Sequence, residues 1–140
     1  RRPEPVRTPL GLLGPQICYD LAFENGSRFM AEAGAEILIT PTLDPMEWTD
    51  LQHTQHSDMT AARAVETGLW IIRAASSGRS QVVDSLGRER ATLANGAEGA
   101  LVSEARLAAG RTFYTRYGWL LGPLALLAAL AACFPLWRRK

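Results

Sequence analysis

Apolar and polar positions fall into blocks along the first hundred residues, and the period of each block predicts its element. Residues 10–19 are mostly apolar, with Gly11, Gly14 and Pro15 among them, and predict a short buried strand, although Pro15 has no N–H to give a ladder. Asn25 stands where an N-cap would open a helix running to Ala33, and Gly34 suits the left-handed position just past its end. Ile37-Leu38-Ile39 predicts a buried strand over 36–40, stopped by Pro41. After a loop over 42–49, a second helix is expected over 50–67, with Gly68 as its C-terminal stop. Residues 69–74 form the next buried strand, and Ser76-Ser77-Gly78 turns the chain. Segments 80–84 and 89–93 flank Ser85-Leu86-Gly87-Arg88 as the arms of a hairpin. A further short strand is expected over 99–103, and residues 1–9, rich in Pro and Arg, read as a loop or linker. Strands alternating with helices, followed by a hairpin, predict an α/β sheet with layered helices.

The last segment follows a different rule. From Tyr117 to Trp137 there is no charged residue. At about 1.5 Å per residue this run matches a hydrocarbon core of about 30 Å. Trp119 and Trp137 sit at its ends, where amphipathic rings favour the headgroup region. A buried core helix is the alternative, but soluble core helices seldom run so long without a polar residue. Arg138-Arg139-Lys140 follow at once, and short basic flanks favour the cytoplasmic side. Arg106, Arg111 and Arg116 lie on the other side, but folded domains translocate largely regardless of charge. The expected organisation is a linker over 1–9, a domain over 10–116, a transmembrane helix over 117–137 and a basic cytoplasmic tail over 138–140. The domain then faces away from the cytoplasm.

A formal net charge of +1, and no basic patch interleaved with aromatics, give no reason to expect a nucleic acid partner. The chain opens with Arg and carries no signal-peptide pattern, so it is expected to be the C-terminal part of a longer protein. Two cysteines are too few for a disulfide scaffold. Cys18 lies near the front and Cys133 inside the apolar tail, so both are expected as free thiols.

Cys18 stands in Gly14-Pro15-Gln16-Ile17-Cys18-Tyr19-Asp20, at the end of an apolar run and just before a helix. A tight turn there projects the sulfur from the sheet and points the next backbone N–H at a developing oxyanion. By itself a free cysteine is more often a small buried hydrophobe. The surrounding motifs weigh against that. Ile-Cys-Tyr-Asp resembles the nucleophile motif of the carbon–nitrogen hydrolase (nitrilase) superfamily, and within it the apolipoprotein N-acyltransferases, where Glu is commoner than Asp20. Residues 34–42 are similar to the strand after the nucleophile helix. Trp48, His56, Met59, Arg63-Ala64 and Glu66 are spaced as in the next helix of that family. Arg73-Ala74, Gly78, Ser80, Asp84 and Gly87-Arg88 match the strand and hairpin beyond. Gly110, Thr112, Tyr114, Arg116, Gly118 and Trp119 look like the junction where an acyltransferase domain re-enters its last membrane helix.

The resemblance implies a partial α-β-β-α sandwich and a Glu–Lys–Cys triad, of which only the Cys position, Cys18, lies in this chain. It makes the Tyr19 backbone N–H an oxyanion donor, and Asp20, Asp44, Trp48, His56 and Arg63 candidates for the substrate site. It implies no cofactor. One departure matters: the branch's Asn-Asp-x-Trp-Phe loop is replaced by the longer Thr42-Leu43-Asp44-Pro45-Met46-Glu47-Trp48, which leaves the acyl and acceptor specificity open. His56, Met59 and Arg63 share one helix face, which either supports the catalytic centre or packs within the helix layer. Arg63 and Glu66 can pair at i, i+3. His53, His56 and Asp58 lack a further ligand or a Cys cluster, so no metal is expected.

Three functions are open. The first is a membrane thiol acyltransferase that moves an acyl group from phospholipid, through a Cys18 thioester, to the N-terminal amine of a lipoprotein at a bacterial inner membrane. The second is a tethered amidase or nitrilase that lets water resolve the same acyl-enzyme. The third is a non-catalytic membrane-tethered binding domain. Only a membrane span orients the chain, so a reporter fused after Lys140 in the full-length protein should behave as cytoplasmic; periplasmic behaviour would overturn the orientation read from the basic flank.

Overall fold

The computed structural model describes residues 4–108 and 111–137, with side chains described as far as Cys133. Six strands make one sheet in sequence order: β1 (Val6–Thr8), β2 (Gly11–Pro15), β3 (Ile37–Thr42), β4 (Trp70–Ala75), β5 (Ser80–Val83) and β6 (Glu89–Leu93). β2, β3 and β4 are parallel, while β1, β5 and β6 add to them antiparallel. Parallel neighbours need crossovers, and helices α1 (Glu24–Glu32) and α2 (Asp50–Thr67) supply them.

α2 has the expected bounds because its ends are locally encoded. The Thr49 hydroxyl accepts from the Gln52 N–H, the Gln52 side chain accepts from the Thr49 N–H, and Gly68 closes the helix at φ 71°. Five other elements differ from expectation. Val6–Thr8 is not a loop but an edge strand, which tolerates its flanking prolines. β2 ends at Pro15 rather than running to residue 19, and the chain turns into the 3-10 turn Cys18–Ala22. That turn runs straight into α1, so Phe23 takes the N-cap position and Asn25 lies inside the helix, accepting from Arg28. β3 continues through Pro41 to Thr42. The Gln16 N–H bonds to the Ile39 carbonyl, so alternate residues of β3 face β2, and the missing N–H of Pro41 falls where β2 has already ended. Residues 99–103 form no strand, and Val102 is exposed.

The pleat divides the sheet into two faces. Leu38, Ile71 and Val83 pair side by side and meet Met30 and Ala31 of α1 and Ala64 of α2 in the main core. On the opposite face, Pro15, Ile39, Ile72 and Val82 line up in register, as do Leu13, Ile37 and Trp70. On this second apolar face Ile37 and Val82 are buried, while Leu13, Ile39, Ile72 and Trp70 remain partly exposed.

The hairpin and the C-terminal segment are pinned to the helices. The Asp84 carboxylate accepts from the Leu86 and Arg88 backbone N–H groups and from the Arg88 and Arg90 guanidinium groups, which shapes the β5–β6 turn. α3 (Phe113–Tyr117) is capped by Thr112. The Thr112 and Thr115 hydroxyls both donate to the Glu66 carbonyl, and the Tyr114 hydroxyl donates to Glu24. A 3-10 turn leads from it into α4 (Leu121–Trp137). The run Phe113–Cys133 is 21 residues long and contains an 18-residue stretch with a mean hydropathy of 1.4, long and apolar enough to cross a membrane. Of the junction residues expected from the sequence, Gly110 lies outside the described residues, as does the basic tail over 138–140.

Gly87 gives a direct test of how the hairpin seats. Its φ is 76°, and a Cβ there would lie 2.8 Å from Val65 Cγ2 and 3.3 Å from the Ala61 carbonyl oxygen. Gly87→Ala should therefore cost about 1–3 kcal/mol, through both the left-handed backbone and the contact with α2. A thermal unfolding midpoint of the full-length protein equal to wild type would refute this seating.

Candidate active site

The carboxyl ends of β2, β3 and β4 come together at one edge of the sheet, where ligand crevices of open α/β sheets form. Each strand delivers one part of the site. After β2 the chain is anchored by Gln16, whose buried side-chain amide exchanges hydrogen bonds with Ser27 of α1 at 2.9 and 3.1 Å. Cys18 follows at φ 49°, the one non-glycine residue with a positive φ among those described. This left-handed backbone costs on the order of 1 kcal/mol for an L-residue and marks a constrained position. The turn is closed from within: Asp20 Oδ2 accepts from the Ile17 N–H at 2.8 Å, and the Asp20 N–H returns to the Ile17 carbonyl. Cys18 is half-buried, and its Sγ faces the Leu43 carbonyl at 3.7 Å. Among the described residues the Tyr19 N–H has no protein acceptor, so it is free for a ligand.

β3 delivers Asp44 and β4 delivers Arg73, and both are almost wholly buried. Arg73 Nη2 lies 2.6 Å from Asp44 Oδ2, and His56 Nδ1 of α2 lies 2.8 Å from Asp44 Oδ1. The loop after β4 closes over this group. Ser77 donates to the Asp44 carbonyl, and a Cβ on Gly78 would fall 1.7 Å from Asp44 Oδ2, so only glycine fits there. Burial alone would push the Asp44 pKa up. The hydrogen bond and charge of Arg73, then those of His56, outweigh burial and hold the carboxyl below its ordinary value. Asp44 is therefore ionised and can only accept, which places the proton of His56 on Nδ1.

An aromatic cluster covers the pair. The Tyr19 ring stacks on His56 with centroids 5.1 Å apart and planes 28° apart. Trp48 meets both rings edge-on, at 6.4 Å from Tyr19 and 5.6 Å from His56. Tyr19, Trp48, Gln52, Gln55, His56 and Met59 line a cleft of about 210 Å³ beside the Cys18 turn.

The structure thus brings Cys18, Tyr19, Asp44, Trp48 and His56 together. Asp20 is exposed and serves the turn itself, and Arg63 lies behind it, donating from Nε to the Leu21 carbonyl at 3.0 Å while pairing with Glu66. Of His53, His56 and Asp58, both histidines turn toward Asp44, His53 with Nδ1 at 3.7 Å from its carboxylate, whereas Asp58 is exposed. Ligand atoms of Cys18, Asp44 and His56 do lie within 4.8 Å of one another. Both Asp44 oxygens are already bonded, however, and the Arg73 guanidinium supplies the positive charge a cation would bring, so this donor set does not suit a metal. Arg73, Ser77 and Gly78 belong to the site although the sequence alone did not single them out for it. The available signal was Arg73 itself, a charge inside the apolar strand Trp70–Ala75, which must find a partner when buried.

Residues 1–115 match the carbon–nitrogen hydrolase family, and the chain belongs to that family. Within it, the chain is similar to proteins named apolipoprotein N-acyltransferase. That of Gloeobacter violaceus is 39% identical over 138 residues, 96% of this chain and 26% of the relative. That of Geobacter metallireducens is 32% identical over 133 residues, 95% of this chain and 26% of the relative. The chain spans about a quarter of the length of these relatives. Among solved structures it is similar to a carbon–nitrogen hydrolase from Helicobacter pylori G27, with a TM-score of 0.62 and 29% identity over 70% of this chain and 41% of the other. A variant amidase from Nesterenkonia sp. AN1, carrying a Michael adduct of acrylamide at its active-site cysteine, gives a TM-score of 0.63 and 28% identity over 83% of this chain and 46% of the other. The mixed α/β fold is accordingly nitrilase-like.

Removing Arg73 tests the electrostatics. Arg73→Leu leaves Asp44 buried with His56 as its remaining close partner, and should cost about 3–5 kcal/mol. Because the folded pKa of Asp44 is lowered, its contribution is complete above the ordinary value of 3.8 and is lost as pH falls through the folded value. Without Arg73 burial dominates, so the acid-unfolding midpoint should move to higher pH. An unchanged midpoint would contradict the assignment of Arg73 as the main counter-charge.

Proposed function

We propose that this chain is the C-terminal part of a membrane thiol acyltransferase with Cys18 as its nucleophile. The Cys18 thiolate attacks the carbonyl of a phospholipid ester, the C–O bond breaks to release a lysophospholipid, and the acyl group remains as a thioester. The N-terminal amine of a lipoprotein then attacks the thioester, the C–S bond breaks, and the thiol is restored. The Tyr19 N–H donates to the oxyanion in both steps. The Glu and Lys that complete the family's triad lie upstream of this chain, so the piece alone is expected to be inactive.

The observation that carries this reading is the geometry of Cys18: a half-buried sulfur on a left-handed elbow at a strand end, beside a free backbone N–H. Exposed Ile17, next to the thiol, and exposed Leu43, whose carbonyl faces it, give the mouth an apolar rim suited to an acyl chain. The partly exposed second sheet face suits an α-β-β-α sandwich that receives its other half there. The apolar run Phe113–Cys133 supports tethering at the bilayer, and the basic flank Arg138-Arg139-Lys140 supports an extracytoplasmic domain. The names of the curated relatives favour transfer over hydrolysis. Asp20, Asp44, Trp48, His56 and Arg63 frame the substrate site in this reading. Likeness to the Nesterenkonia amidase keeps a tethered amidase as the second reading.

Incubating the full-length protein with phospholipid should add one acyl chain to Cys18, seen by intact mass and absent in Cys18→Ala, and the adduct should clear when a diacylated lipopeptide with a free amine is added. Cys133→Ala should be nearly silent. Rapid decay of the adduct in buffer alone, or acylation by small amides but never by phospholipid, would transfer the assignment to the amidase.

A further inference from the structure

The acyl-transfer scheme uses the main chain of Tyr19, yet the side chain of Tyr19 also touches the histidine of the buried ion pair. Its ring stacks on His56, whose Nδ1–H is held by Asp44, whose other oxygen is held by Arg73. Arg73 Nη2 also lies 3.3 Å from His56 Nδ1. A guanidinium is donor-only and so is a protonated Nδ1, so these two do not bond each other and both converge on Asp44. The carboxylate thereby fixes the plane of the imidazole. The Tyr19 hydroxyl has no protein partner among the described residues, so ring contacts with His56 and Trp48 are what orient this half-exposed side chain.

Resting on Cys18 as nucleophile, we propose that Asp44 and His56 are positioning residues: the imidazole, locked by Asp44, is a platform for the Tyr19 ring that holds the Tyr19 N–H toward the developing oxyanion. The need for such a platform follows from the backbone. At φ 49° the Cys18–Tyr19 peptide is in an orientation that an L-residue does not favour by itself. Asp20 clamps the turn from inside through the Ile17 N–H, and the ring of Tyr19 is its anchor from outside. An oxyanion donor acts in the transition state more than in the bound ground state, so a loosened platform lowers kcat and leaves KM largely intact.

A double-mutant cycle in the full-length protein separates this from a merely structural role. His56→Asn keeps a donor for Asp44 but removes the ring, and Tyr19→Leu removes the ring that rests on it. Each should lower kcat about tenfold with KM within about twofold of wild type, and the double variant should be no slower than the worse single. Losses that multiply, to about a hundredfold, or a rise in KM with kcat unchanged, would overturn the proposal. Should His56→Asn accumulate poorly in membranes, His56→Leu enters the same cycle with the same two outcomes. Cys18→Ala, run beside it, separates the failures. If Cys18→Ala retains turnover, the nucleophile assignment is wrong. If turnover is lost there but the cycle is multiplicative, only the platform is wrong.

Discussion

A guanidinium in the middle of a sheet cannot stay buried without a counter-charge, and Arg73 of β4 dictates what surrounds it. Its partner, Asp44, comes from the loop after the neighbouring strand, so the ion pair ties the carboxyl ends of β3 and β4 together. The remaining oxygen of Asp44 draws in His56 from α2, and the close approach of Gly78 draws in the loop after β4. Three elements and two loops are thus fixed relative to one another at the edge of the sheet where the Cys18 turn emerges. Buried ion pairs are seldom the most stable way to fill a core. Here the pair sits where accurate placement matters more than net stability.

The turn carrying Cys18 is the second consequence. Gln16 and Ser27 hold its stem, Asp20 holds its inside, and Arg63 holds the Leu21 carbonyl behind it. The strain of one left-handed residue is distributed over this scaffold, which is why a cysteine, not a glycine, can occupy that position. The sulfur is left half-buried, with exposed Ile17 and Leu43 beside it.

The C-terminal segment couples this sheet-and-helix architecture to an apolar helix. Thr112 and Thr115 hang α3 on the end of α2, and Tyr114 reaches Glu24 of α1. Both helices so engaged also flank the turn that carries Cys18. Any force on the apolar helix is therefore passed to elements that frame the site, rather than to a loose linker.

Local chemistry was enough to locate α2, the β5–β6 hairpin and the apolar tail. Their signals, which are the Thr49–Gln52 capping box, Gly68, Gly87 between two short strands and an uncharged run, act within a few residues. Cys18, Tyr19, Asp44, Trp48 and His56 were legible as candidates through their motifs. What they do to one another was not. Asp44 and Arg73 stand 29 residues apart, and only strand pairing makes them neighbours. Whether Pro41 ends β3 depended on how far β2 reached beside it. The same is true of where the strand before Cys18 stops, since the last ladder bond of Gln16 belongs to Ile39. Residue type and periodicity determined which elements exist and which side chains carry chemistry; sheet register decided where the elements end and which charges meet, because pairing and burial are non-local.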